Sequence, residues 1–74
     1  MIHNQIMQLY WDTTYAVAVA LIEHYPDLNP VEIGLVELAD LVEALPNFVD
    51  DTAVVTERML TDIQITWYEE ITNP

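Results

Sequence analysis

Carboxylates are the side chains of this sequence with the most chemistry to offer. The chain carries 13 Asp and Glu residues, and Asp50, Asp51 and Glu57 form its best local cluster. Carboxylate oxygens are ligands for hard cations, among them calcium, magnesium and iron. We therefore take these three residues as candidate metal ligands, with the alternative that Asp51 is an ordinary helix cap. Adjacent Glu69 and Glu70 would point about 100° apart on a helix, so they do not readily chelate one ion.

Other reactive side chains are scarce. The chain has no serine, cysteine or lysine, and it contains neither a glycine-rich phosphate loop nor a His-Glu-x-x-His motif. His24 fits the C-terminus of a first helix, where its charge is favourable, and His3 lies in the N-terminal extension. These absences predict a protein that is not an enzyme and that has no tightly bound cofactor.

The charge balance restricts the partners. Arg58 is the only Lys or Arg residue, and the formal net charge is −12. Such a chain cannot neutralise several phosphates and is repelled by an anionic membrane. We therefore expect a cationic protein partner, no nucleic acid and no membrane. The chain shows no basic signal-peptide start and no bilayer-length apolar run, so a soluble, cytoplasmic protein is expected. We also expect it to be a monomer.

Hydrophobic periodicity predicts three helices in one small all-α bundle. The first helix is capped by Asp12 or a following threonine and runs to about Tyr25, before Pro26. Asn29-Pro30-Val31-Glu32 has the arrangement of a capping box, in a turn that Gly34 cuts short. We expect an N-terminal extension over 1–8, one domain over 9–71 and a tail over 72–74.

The second helix, Leu35 to Leu45, is predicted to be strongly amphipathic. Its apolar residues fall within about 120°, and the opposite side carries Glu37, Asp40 and Glu43. After Pro46, Phe48 is expected to return to the core. Asp50-Asp51 is expected to open the third helix, in which Arg58 and Asp62 pair. The buried stripe of this helix is predicted to comprise Ala53, Thr56, Met59, Leu60, Ile63 and Trp67.

The order and spacing of several short motifs resemble the IscX family of iron–sulfur cluster assembly accessory proteins. The resemblance covers residues 9–70 without gaps. It rests on Trp11-Asp12 before an alanine-rich helix, Tyr25-Pro26-Asp27-Leu28-Asn29-Pro30, Leu45-Pro46-Asn47-Phe48-Val49-Asp50-Asp51, Thr56-Glu57-Arg58-Met59-Leu60, and Ile63 through Trp67 to Glu69-Glu70.

This resemblance implies a winged-helix-like domain that binds the cysteine desulfurase of the ISC machinery, in competition with frataxin. It also implies weak iron binding by surface carboxylates. Where family members usually carry an acidic residue before the Asp pair and a proline after it, this chain has Val49 and Thr52. An iron site here would have one ligand fewer. The positions that carry over as functional are Asp27, Glu37, Asp50, Asp51, Glu57, Glu69 and Glu70.

The function predicted from the sequence is an accessory adaptor of iron–sulfur cluster assembly that also binds iron weakly as a donor or sensor. Its partner-binding candidates are Asp27, Glu37, Asp40, Glu43, Glu69 and Glu70. Two alternative functions remain open. One is an acidic nucleic-acid mimic that occupies the DNA site of a basic protein, and the other is a dedicated iron-binding buffer.

Overall fold

Three α-helices make up the framework of the part of the chain that the structure describes. The computed structural model describes residues 8–73, so the predictions made for residues 1–7, including His3, lie outside the described residues. Helices α1 (Thr14–His24), α2 (Leu35–Glu43) and α3 (Glu57–Thr72) are joined by 3₁₀ turns at Pro30–Glu32 and Thr52–Val54. Between residues 8 and 73 the only β-type pairing is an isolated parallel bridge from Leu9 to Phe48. The predicted all-α, three-helix fold class is confirmed.

The boundaries of α1 follow the sequence signals closely. Thr13 is the N-cap residue, but its hydroxyl bonds to the backbone of Tyr10 and does not cap the helix. The helix ends at His24, one residue before the predicted end, with Tyr25 as its C-cap ahead of Pro26. His24 therefore occupies the predicted position in the last turn, where a positive charge is favourable.

The predicted start of α3 was wrong. Asp51 caps the short 3₁₀ turn, accepting a hydrogen bond from Ala53 N at 2.9 Å. The α-helix begins at Glu57, where the Thr56 hydroxyl accepts from Met59 N at 3.1 Å. Val54, Val55 and Thr56 are β-branched, which disfavours a helix here, and Val55 and Thr56 are extended. Ala53 and Thr56 are consequently exposed and do not belong to the buried stripe.

The core lies between α1 and α3, with α2 packed against both. Tyr15, near the start of α1, reaches Glu70, near the end of α3, with 3.5 Å between the hydroxyl and the carboxylate oxygen. The two helices therefore run antiparallel. Within residues 8–73 no polar or charged side chain is buried. The buried hydrophobic residues, which include the predicted Leu60, Ile63 and Trp67, are Leu9, Trp11, Val17, Ala18, Leu21, Ile33, Leu38, Val42, Leu45, Leu60, Ile63 and Trp67.

Gln64 fastens the first 3₁₀ turn to α3. Its side-chain amide donates to the carbonyl oxygens of Pro30 and Ile33, both at 2.8 Å. At the start of the turn, Asn29 accepts from Val31 N at 3.1 Å, so the predicted N-cap is present. Within residues 8–73 the Glu32 side chain makes no hydrogen bond back to Asn29 N, so the capping box is not completed. The 3₁₀ turn ends before Gly34, as predicted, and Gly34 is the N-cap residue of α2. The connection between α1 and α2 is thereby held against the third helix.

Trp11 joins the start of the domain to the loop before α3. Its ring is fully buried, its indole N–H donates to Asp51 O at 2.9 Å, and its backbone N–H donates to the Asp50 carboxylate at 3.0 Å. Phe48, which is partly buried as predicted, meets the indole edge-on at a centroid distance of 4.7 Å. Leu9 adds backbone hydrogen bonds to Asn47 and Val49. We term this group of contacts the Trp11 lock.

Trp11→Phe tests the contribution of the lock to stability. The substitution removes the indole donor and leaves space that the smaller ring does not fill, so we expect the free energy of unfolding to fall by about 2 kcal/mol. Urea denaturation followed by circular dichroism measures the change. The control is Trp67→Phe, the same ring replacement at a position on α3 that is only 1% exposed. Amide hydrogen exchange at Ala53 should accelerate in Trp11→Phe and not in the control. Equal exchange in both variants would contradict the lock.

Candidate functional site

The most regular charged surface of the protein is the outer side of α2. Glu37, Asp40 and Glu43 are all exposed, while Leu38 and Val42 on the opposite side are fully buried. Six residues at 1.5 Å per residue place Glu37 and Glu43 about 9 Å apart along the helix axis. The predicted amphipathic arrangement is confirmed. These three carboxylates are termed the α2 acidic face.

The Asp50-Asp51 pair is engaged with backbone groups. One oxygen of the Asp50 carboxylate accepts from Trp11 N at 3.0 Å, and the other accepts from Asp51 N at 2.7 Å. The Asp51 carboxylate accepts from Ala53 N at 2.9 Å. Asp51 is thus a cap, the alternative considered from the sequence, although it caps a 3₁₀ turn and not α3. The geometry gives both residues a structural role.

The three candidate metal ligands are not assembled into one site. Within residues 8–73, no three His, Asp or Glu side chains are grouped so that they could hold a metal ion. The 3₁₀ turn and the extended residues after it intervene between Asp50-Asp51 and Glu57, which is the first residue of α3. The structure therefore does not bring Asp50, Asp51 and Glu57 together as a three-carboxylate cluster.

The remaining acidic candidates lie at opposite ends of α1. Asp27 is exposed in the turn after α1, whereas Glu70 accepts a hydrogen bond from Tyr15 near the start of that helix. Eleven residues of helix separate these ends by about 16 Å. Glu69 is exposed and Glu70 is half-buried. The six predicted partner-binding residues are therefore spread over the surface of the protein, with three of them together on the α2 acidic face.

The negative charge of this surface has little internal compensation. Arg58 and Asp62 approach to 3.8 Å with both side chains largely exposed, which confirms the predicted pair. An exposed pair of this kind is worth at most about 1 kcal/mol. In the described part of the chain no other ion pair occurs. The other carboxylates together therefore generate a negative potential at the surface.

An apolar groove beside α3 went unrecognised in the sequence. It has a volume of about 530 Å³ and lies between α3 and the first 3₁₀ turn. At 100° per residue, Ile65 and Tyr68 fall outside the buried stripe formed by Leu60, Ile63 and Trp67. Two large hydrophobic residues outside that stripe were the feature of the sequence that could have indicated the groove. The groove, termed the α3 groove, is lined by Val31, Gln64, Ile65, Tyr68, Glu69, Thr72 and Asn73.

Fold and surface together define a small, acidic domain that has three α-helices within the described residues and a charged outer face on α2. Residues 9–72 match the model of the iron-sulphur cluster assembly family, and the chain belongs to that family. The resemblance to the IscX family is thereby confirmed. A relative is the uncharacterized protein PA3808 of Pseudomonas aeruginosa, which is 36% identical over 64 residues, or 86% of this chain and 97% of the relative. No helix within residues 8–73 is long and apolar enough to cross a membrane.

Asp50 and Asp40 should respond differently to truncation. Asp50→Ala leaves the part-buried Trp11 N–H without its acceptor, so we expect the free energy of unfolding to fall by about 2 kcal/mol. Asp40→Ala removes an exposed carboxylate from α2 and should change it by less than about 0.5 kcal/mol. Urea denaturation of the two variants gives the comparison. A similar small change in both would show that Asp50 has no structural role.

Proposed function

We propose that this chain is an accessory adaptor of iron–sulfur cluster assembly that binds the cysteine desulfurase through its acidic surface, in competition with frataxin. The α2 acidic face is the observation that carries the proposal. Three exposed carboxylates stand on one side of a single helix. The one Arg of the chain, Arg58, lies on α3 and pairs with Asp62. Family membership supports the same biological setting.

The physics of such a surface favours fast, salt-sensitive association with a basic protein. A net charge of −12 on a chain of 74 residues attracts a cationic surface before contact and raises the association rate by roughly one to three orders of magnitude. At physiological ionic strength the Debye length is only about 8 Å, so the attraction weakens as salt is added. Charge at the rim of an interface acts mainly on the association rate.

Iron is proposed as a weakly held ligand of the same surface. The three candidate metal ligands, Asp50, Asp51 and Glu57, do not converge, so they offer no chelating set. Single exposed carboxylates still attract ferrous iron through charge and oxygen ligation. The adaptor is therefore expected to bind iron diffusely, in contrast to an iron buffer, which needs a defined site.

Neutralising the α2 acidic face should weaken binding to the desulfurase. The triple variant Glu37→Gln, Asp40→Asn, Glu43→Gln removes three exposed charges, each worth up to about 1 kcal/mol in a contact. We expect about a tenfold loss of affinity at low ionic strength, mostly through a slower association rate. Biolayer interferometry with purified desulfurase, repeated at high salt, provides both rates.

A second triple variant with the same net charge is the control for this experiment. Asp12→Asn, Glu23→Gln, Glu32→Gln alters three exposed carboxylates outside the α2 acidic face. Its affinity should fall by less than threefold. Equal losses in the two triple variants would mean that net charge alone matters, and salt-independent affinity of the unaltered chain would refute electrostatic docking.

Iron titration distinguishes the adaptor from the buffer. When ferrous iron is added anaerobically, NMR line broadening should spread over α2 and residues 50–57, without reaching a stoichiometric end point. This pattern is expected because no three carboxylates within the described residues share one ion. Saturable micromolar binding that broadens a single cluster would contradict the proposal and favour an iron buffer.

A further inference from the structure

We infer that the α3 groove is a second contact site, one that receives a large apolar side chain from a basic segment of the partner. This inference rests on the proposed function, because the partner is the desulfurase proposed above. The acidic surface and the groove act at different ranges. Charge brings the partner close, and the groove holds one apolar anchor of that partner after contact.

The groove has a fixed shape because its two walls are tied together. Gln64, itself a lining residue, donates to Pro30 O and Ile33 O at 2.8 Å each and holds the 3₁₀ turn beside α3. Val31 stands on the turn side, and Ile65 and Tyr68 stand on the helix side. A pre-formed groove loses little conformational entropy when a ligand side chain enters it.

The apolar residues that line the groove are exposed to solvent. Val31 is 62% exposed, Ile65 49% and Tyr68 45%, and the three side chains border one groove. Single exposed hydrophobic residues are ordinary, but a contiguous group of them is typical of an interaction site. Tyrosine is also enriched among the residues that contribute most to protein interfaces.

The charge of the lining selects the occupant. Among residues 8–73, Glu69 is the only charged residue that borders the groove, and Arg58 is not among the lining residues. A second copy of the chain would bring its own large negative charge to a negative rim. An arginine or lysine of the partner, by contrast, pairs with the Glu69 carboxylate or stacks on the Tyr68 ring. The occupant is therefore an aliphatic or aromatic side chain next to a basic residue.

A groove contact and a charge contact differ in their response to salt. Added salt screens exposed charges, but it does not weaken the burial of apolar surface. The affinity that remains at high ionic strength should therefore depend on Ile65 and Tyr68, and the part lost between low and high salt should depend on the α2 acidic face.

The test is desulfurase binding by the double variant Ile65→Ala, Tyr68→Ala at high salt. We expect about a tenfold loss of affinity, as for two central anchors of an interface, with an unchanged circular dichroism spectrum. The control is Tyr10→Ala, Val54→Ala, which truncates one aromatic and one aliphatic residue that are 38% and 49% exposed elsewhere on the surface. The control should lose less than twofold.

The outcomes separate this inference from the proposed function. Equal affinities of the two double variants at high salt, with normal salt-sensitive binding at low salt, would overturn the groove contact alone. A complete lack of desulfurase binding by the unaltered chain would overturn both proposals. Sedimentation velocity of the chain without partner provides a further check. A dimer that dissociates in Ile65→Ala, Tyr68→Ala would assign the groove to a second copy and overturn the inference.

Discussion

The Trp11 lock is the interaction on which the arrangement of the helices depends. Trp11 precedes α1, and its hydrogen-bond partners Asp50 and Asp51 lie between α2 and α3, so one side chain relates all three helices. A domain of about 70 residues buries only about 60% of the surface of its unfolded chain, so a fully buried indole ring is a large part of its core. Asp50 is a candidate metal ligand by its residue type. Its carboxylate accepts a hydrogen bond from the part-buried Trp11 N–H, so it supports the fold.

Separation of charge from the core is the second constraint. Every buried side chain in residues 8–73 is apolar, so no carboxylate is fully buried and the charges stand at the surface, where water screens their mutual repulsion. The Arg58–Asp62 pair is too exposed to offset that repulsion. Stability must therefore come from apolar burial, at about 25 cal/mol per Å². The surface charges remain available for a partner because the fold does not need them paired.

The sequence was informative wherever structure is decided locally. The period of α2 predicted its buried and acidic sides, and Pro26 and Gly34 marked ends of helical segments correctly. The start of α3 was predicted wrongly at the Asp pair: Asp51 caps the 3₁₀ turn, whereas Thr56 caps the α-helix after the β-branched Val54 and Val55. Trp11 bonds to the same loop, 39 residues distant from Asp50. The Gln64 clamp likewise spans 34 residues to Pro30. No local pattern reports such contacts, and the second one holds the first 3₁₀ turn beside α3 at the α3 groove.

Attraction by charge and selection by shape are different requirements for binding. The α2 acidic face suits the first, and the α3 groove suits the second. A strongly negative field attracts any basic protein, including those that bind nucleic acid, so charge alone gives speed without discrimination. Discrimination needs a short-range feature whose mismatch costs affinity. The α3 groove, held by Gln64 and bordered by Glu69, is such a feature. The same dispersed carboxylates that suit electrostatic docking lack the convergence that tight metal binding requires. The proposed role as an adaptor for a basic partner accounts for both the position of the charges and the shape of the groove.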